Sequence, residues 1–188
     1  FPVATSSNIL GIKVIYCGRL EEGKNLFTWI DVAVDVHKAI PHTSFALFGE
    51  GSLKELLAEK ISALDADGFI KLEGLAANMP EVYRSADLLL FLSEYESFGN
   101  VVVESILSGT PVLVFPIPAM REIFSEFPVF LLNDTEDIAP VVAERIRHLD
   151  ELKQETQKAI PAFQSRFSAA RHMAALSNIY RHAANSIA

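Results

Sequence analysis

Residues 87–114, from Asp87 to Val114, read DLLLFLSEYESFGNVVVESILSGTPVLV. The stretch opens on an apolar run, Leu88 to Leu92, with no polar alternation, as expected of a strand covered on both faces. A polar segment, Ser93 to Gly99, follows. Asn100 to Ser108 then has the character of a helix, and Val112 to Phe115 is a second apolar run. Strand, helix and strand in so short a span make a parallel β-α-β unit.

The same alternation extends upstream. Ile12 to Cys17 reads as a strand and Asn25 to Lys38 as a helix that turns Trp29 inward. Ser44 to Phe48 reads as a strand, followed by a helix from about Ser52 to Leu64. Phe69 to Leu72 reads as a strand, followed by a short helix from Met79 to Ser85. Downstream, Val129 to Leu132 is expected as a sixth strand. The pattern predicts an α/β chain with a doubly wound, mainly parallel, Rossmann-like sheet and helices on both faces. Beyond Leu132 the chain turns helical. Asp134 or Thr135 is placed to cap a helix running to about Leu149. A further helical segment covers about Glu151 to Ala159, with Pro161 after it. Ser168 is placed to cap a last helix to about Ser186, in which Met173, Leu176, Ile179 and Tyr180 recur at helical spacing. The expected organisation is a leader or linker over residues 1–8, one domain over 9–165, and a final helix of that domain over 166–188.

Composition narrows the function. Half of the 188 residues are hydrophobic, enough for a full core. A net charge of −8 argues against a nucleic-acid surface. No apolar run approaches the length that crosses a bilayer. Phe1 to Asn8 lacks the basic start and apolar stretch of a signal peptide, and a first residue other than Met points to a processed piece. Cys17 is the single cysteine and lies in an apolar run, so it reads as a small core residue. A cytoplasmic location is the default for such a chain.

In an open parallel sheet, ligands bind beyond the carboxyl ends of the strands. Most of the glycines and unusual polar residues fall there. They are Gly18 and Arg19 with Lys24, Gly49-Glu50-Gly51-Ser52, Glu73-Gly74, and Ser93 to Gly99. Arg19 and Lys24 suit a phosphate clamp, although two solvated loop charges are the commoner outcome for such a pair. Glu96 and Glu104, eight residues apart, offer paired acceptors for sugar hydroxyls or favourable charge near a helix N-terminus. Gly99 and Asn100 open that helix, where free backbone N–H groups hold anions, or where glycine serves only a tight turn. Gly49-Glu50-Gly51 lacks the third glycine of a dinucleotide fingerprint and follows the second strand, which argues against NAD. No Walker lysine and no His/Cys metal cluster is present. His37, His42, His148, His172 and His182 all lie off the ligand edge.

Six motifs in order resemble a known family. Glu96-Ser97-Phe98-Gly99-Asn100-Val101-Val102-Val103-Glu104 resembles the two-glutamate motif of group 1, or family 4, retaining glycosyltransferases. Ser108-Gly109-Thr110-Pro111-Val112 matches the family's small-Gly-x-Pro-Val, and Gly18-Arg19-Leu20 with Lys24 matches its Gly-Arg-Leu to Lys spacing. Phe48-Gly49-Glu50-Gly51, Leu72-Glu73-Gly74 and Tyr83-Arg84-Ser85-Ala86-Asp87 fall in the expected order. The resemblance covers about Ile12 to Leu132, and Arg166-Phe167-Ser168 looks like the start of the family's last helix. Two positions depart from the family. Leu92-Ser93 stands where Pro-Ser is usual, and the glycines usual before Pro-Glu are replaced in Pro118-Ala119-Met120-Arg121-Glu122.

The resemblance implies the carboxy-terminal, donor-binding half of a GT-B fold. It implies that Arg19 and Lys24, beside Gly18, contact a diphosphate. Glu104 would hold the ribose hydroxyls, and Glu96 a hydroxyl of the donor sugar. The backbone from Phe98 through Gly99 and Asn100 to Val101, next to Ser97, would meet sugar and phosphate, with Leu75 and Met79 near the base. Arg19, Lys24 and Glu96 are the expected catalytic residues. The donor is a UDP- or GDP-sugar, with no metal and no other cofactor. The amino-terminal acceptor domain lies outside these residues, so this chain alone is expected to be an inactive fragment. Membrane association of the whole protein stays open. The alternatives are a sugar-nucleotide epimerase or phosphorylase on the same plan, and a non-catalytic scaffold.

Overall fold

The computed structural model describes residues 11–133 and 137–168, together with 170, 171, 173, 176 and 177. β1 (Ile12–Cys17) runs through the middle of a five-stranded parallel sheet. It pairs with β2 (Thr43–Phe48) on one side, in register from Ile12 against Thr43 to Cys17 against Phe48. On the other side it pairs with β4 (Leu88–Phe91), Val14 against Leu88. β3 (Ile70–Gly74) lies outside β2, and β5 (Val112–Val114) outside β4, giving the order β3-β2-β1-β4-β5. All four residues of β4 and all three of β5 are buried, as strands sandwiched between two helical layers must be. The strand order reverses between β1 and β4, so their carboxyl ends diverge there and leave a crevice.

α1 (Leu26–Ala39) packs with α2 (Lys54–Ala63) and α6 (Ile138–Arg147). α3 (Met79–Arg84), α4 (Asn100–Leu107) and α7 (Leu149–Arg166) pack together on the opposite side of the sheet. The central strands tie directly to α1. Trp29 is fully buried, its indole N–H donates to the Leu90 carbonyl at 2.9 Å, and its ring meets Tyr16 and Phe45 edge-on. A second aromatic group, Phe124, Phe130 and Phe163, fills the space beneath α7.

The doubly wound architecture is the expected one, and the strand boundaries fall within two residues of the sequence reading. Three segments differ. Val129 to Leu132 is not a sixth strand. Pro128–Phe130 forms a 3-10 turn, and Leu131 alone bridges to Val114. Phe130 drives this, because its ring is fully buried against Phe124 and Phe127 and an extended chain would not aim it there. Pro161 does not follow a helix but lies inside α7. It sits on the exposed side, where the carbonyl it deprives of a helical partner is open to solvent, while Ala159 and Phe163 on either side of it stay buried. The segment after Val114 holds a helix that periodicity did not reveal, α5 (Pro118–Ile123), with proline at its first position.

Asp134 and Thr135, the expected caps of α6, lie outside the described residues, and Asp137 occupies the cap position. Ser168 does cap a following helical segment, its hydroxyl accepting from the Arg171 N–H at 3.2 Å. Residues 170, 171, 173, 176 and 177 are helical there, with Met173 exposed. Ile179, Tyr180, Ser186 and the expected leader over residues 1–8 lie outside the described residues.

Candidate functional site

Three loops meet at the carboxyl end of the sheet, backbone against backbone. The Gly18 N–H donates to the Phe48 carbonyl and the Leu20 N–H to the Glu50 carbonyl. The Leu53 N–H donates to the Leu20 carbonyl, and the Gly49 N–H to that of Gly74. The approach is so close that a Cβ on Gly49 would lie 1.8 Å from the Gly18 carbonyl oxygen, at a φ of 149°. Gly51 is similarly placed, 2.2 Å from the Leu20 oxygen. The Gly49-Glu50-Gly51 sequence is therefore explained by loop packing and needs no dinucleotide.

Across the switch point, the loop after β1 meets the loop after β4. The Glu94 N–H donates to the Gly23 carbonyl, and the Lys24 ammonium forms a hydrogen-bonded ion pair with the Glu96 carboxylate. Both side chains are largely shielded, at 15% and 18% exposure, so solvent and salt screen them less than an ordinary surface pair. Arg19 is far more open, its side chain 73% exposed, and pairs with Glu21 at 2.7 Å. Beneath this loop the Tyr16 hydroxyl donates to the Arg19 carbonyl at 3.0 Å. Burial, and then the negative charge of Glu96, push the Tyr16 phenol above its ordinary range, so it stays a donor. Gly99 caps α4 in a left-handed conformation, φ 83°, which turns the chain from the Glu96 loop into the helix.

The crevice holds a cavity of about 470 Å³. Gly18, Arg19, Leu75, Met79, Val101 and Glu104, all expected from the sequence, line it. Cys17, Phe48, Gly49, Glu50, Ala76 and Tyr83 line it too. Lys24 and Glu96 are not among its lining residues. Ser97 and Phe98 face a separate cavity of about 290 Å³, next to Glu122 and Arg166. There the exposed Phe98 ring packs edge-on against Phe167. Asn100 is exposed at the first turn of α4.

Tyr83 is the residue that sequence reasoning passed over. It was visible only as the first member of Tyr83-Arg84-Ser85-Ala86-Asp87, yet its hydroxyl donates to the Glu104 carboxylate at 2.9 Å. Burial first, then Cys17 and the bond to Glu104, raise its phenol well above the ordinary value. Cys17 forms part of the floor, and burial followed by the Glu104 charge push its thiol up to about 12. The thiol is therefore neutral at pH 7 and a poor nucleophile, as the sequence reading had it. Alkylation with iodoacetamide at pH 8 is expected to be slow in the native chain and fast in urea. Equal rates, followed by mass spectrometry, would contradict this burial.

His37 bonds the Thr43 carbonyl at 2.9 Å and stacks on Phe69, and His148 pairs with Glu144, both far from the crevice in role. His172 and His182 lie outside the described residues. Among the described residues there is no cluster of three His, Cys, Asp or Glu able to hold a metal, and no helix is long and apolar enough to cross a membrane.

The sequence and fold have counterparts in known proteins. The sequence profile described as "Glycosyl transferases group 1" matches residues 9–166. The GtfA subunit of the UDP-N-acetylglucosamine–peptide N-acetylglucosaminyltransferase of Streptococcus agalactiae is 32% identical over 113 residues, 60% of this chain and 22% of that protein. The Anabaena protein Alr3699/HepE, whose crystal structure holds UDP and glucose, superposes with a TM-score of 0.80 at 22% identity. The match covers 92% of this chain and 48% of that one. The C-terminal domain of the Francisella tularensis group 1 protein LpcC matches at a TM-score of 0.67 and 20% identity, covering 83% of this chain and 85% of that one. At these identities the two structures speak for the fold. The chain thus spans much less than two thirds of the streptococcal relative.

Proposed function

Because this chain belongs to the group 1 glycosyl transferases, we propose that it is the donor-binding domain of a retaining enzyme that transfers a sugar from a UDP- or GDP-sugar without a metal. One observation carries the reading. The 470 Å³ cavity at the switch point has an apolar wall of Leu75, Met79 and Val101, with the Glu104 carboxylate at the same cavity. Such a space suits a nucleoside, with Leu75 and Met79 beside the base and Glu104 on the ribose hydroxyls. The diphosphate would then lie along Gly18 and Arg19 towards the amino end of α4, where Gly99, Asn100 and Val101 present backbone N–H groups. Lys24 would supply positive charge to the leaving diphosphate, and Glu96, its partner, would receive a hydroxyl of the donor sugar. The names of the streptococcal relative and of the Anabaena complex favour uracil over guanine.

In this reading a second domain completes the cleft and holds the acceptor. The 188 residues alone would bind nucleotide weakly and transfer nothing, since orienting two reactants supplies on the order of 7–11 kcal/mol of barrier reduction. The test is calorimetry of the full-length protein against a panel of sugar nucleotides, with the anomeric configuration of the product read by NMR. Binding and transfer should survive EDTA. Loss with EDTA and recovery with magnesium or manganese would refute a metal-free clamp.

Glu104→Ala should weaken binding of plain UDP by about 1.5–3 kcal/mol, the cost of a lost hydrogen bond to a charged group. Glu96→Ala should leave it unchanged or slightly stronger, because it frees the Lys24 ammonium. Equal affinities of both variants and wild type for UDP and GDP would refute the assignment.

A further inference from the structure

We infer that Tyr83 is a positioning residue for nucleotide recognition: its hydroxyl fixes the orientation of the Glu104 carboxylate so that both carboxylate oxygens face a ribose diol. The inference rests on the proposed reading in which Glu104 receives the ribose. Among the described residues, Tyr83 is the one hydrogen-bond donor to the Glu104 side chain. Without it a glutamate on the exposed face of α4 would sample several rotamers. A carboxylate offers about four acceptor positions. The phenol occupies one on Oε2, leaving Oε1 and the second site of Oε2 for two adjacent hydroxyls.

Tyr83 is itself fixed, at its ring by burial and at its main chain by a hydrogen-bonded relay. Tyr83 is 1% exposed, so its ring cannot swing. The Thr110 hydroxyl donates to the Tyr83 carbonyl at 2.6 Å, and the Ser105 hydroxyl donates to the Thr110 carbonyl at 3.0 Å. Both of these bonds are buried. The chain of contacts therefore begins on α4 at Ser105, passes through the loop before β5 to the last turn of α3, and returns to α4 at Glu104. Ser105 and Glu104 are neighbours on one helix, so the circuit closes on itself and holds acid and phenol in one relative position. The raised phenol keeps its proton throughout the physiological range and never becomes a competing anion beside Glu104.

The experiment reads the preference for ribose, not affinity alone. The full-length protein, as wild type, Tyr83→Phe and Glu104→Gln, is titrated with UDP and with 2′,3′-dideoxy-UDP, and with GDP and its dideoxy form in parallel. Wild type should prefer the ribonucleotide. Glu104→Gln should abolish most of that preference, and Tyr83→Phe should reduce it by roughly tenfold while dideoxy binding stays unchanged. If Tyr83→Phe weakens ribo and dideoxy forms equally, the tyrosine is merely structural and the inference fails while the ribose reading stands. If Glu104→Gln keeps the full preference, or if wild type binds none of the four nucleotides, the ribose reading fails and takes the inference with it. The ratio is internal to each variant, so a change in overall stability does not imitate the effect.

Discussion

Lys24→Ala is expected to slow sugar transfer by about 10²–10³-fold at saturating donor, roughly 2.7–4 kcal/mol in the barrier, the range found when one preorganised donor to a developing charge is removed. The size follows from the place of the side chain. Its ammonium is only partly exposed, at the point where the loops after β1 and β4 meet, so little solvent replaces it. The variant also leaves the Glu96 carboxylate without its cation in a shielded position, so in the proposed reading negative charge would face the leaving diphosphate. Removing both partners should therefore be less damaging to nucleotide binding than removing Lys24 alone, a coupling that a double-mutant cycle reads directly. Lys24→Arg should recover only part of the rate, because a planar fork does not reproduce a compact ammonium in this space. A loss below threefold in Lys24→Ala would show that the leaving group is stabilised elsewhere.

Gly49→Ala is expected to destabilise the fold by about 3 kcal/mol, from overpacking and backbone strain together. The new methyl would meet the Gly18 carbonyl oxygen at 1.8 Å, and that atom belongs to a backbone held by its own hydrogen bonds. A flexible side chain would move aside, whereas the Gly18 carbonyl lies between two main-chain bonds, Gly18 N–H to Phe48 and Leu20 N–H to Glu50, and cannot retreat without straining them. Urea unfolding checks this. A midpoint equal to wild type would mean that the loops separate easily. Gly68→Ala is the control, since nothing lies within 4 Å of its added carbon.

The sheet was legible because its strands are written as short, mainly apolar runs, unbroken and buried on both faces in β4 and β5, and interrupted by Lys13 in β1 and by Lys71 and Glu73 in the edge strand β3. The positions that misled are those where one side chain overrode the local pattern. Phe130 needed the core and gave up an extended backbone for a 3-10 turn. Pro161 was tolerated because it points to water. In the crevice, residues adjacent to a strand end were legible, since topology delivers Gly18, Arg19 and Val101 to the same edge. Pairings across it were not. Lys24 and Glu96 are 72 positions apart, and nothing in either neighbourhood announces that they touch. The Tyr83 contact with Glu104 crosses from one helix to another and was equally invisible. Ser97 and Phe98 belong to the same motif as Glu96, but their side chains turn to the other side of the loop, towards Glu122 and Phe167.

The loops after β1, β2 and β3 are stitched to one another through main-chain hydrogen bonds, whereas the Glu96 loop joins them through one such bond and one ion pair. This asymmetry divides the crevice into a fixed half and an exchangeable half. On the stitched half, Gly49 and Gly51 cannot take a side chain without disturbing the peptide groups against them. The side chains of Tyr95, Ser97 and α5 project from segments outside the stitched loops, with Ser97 and Glu122 beside the neighbouring cavity of about 290 Å³. If the proposed donor reading holds, such an arrangement would let a lineage, or a protein engineer, change the group carried by the nucleotide by rewriting a few residues after β4 and β5.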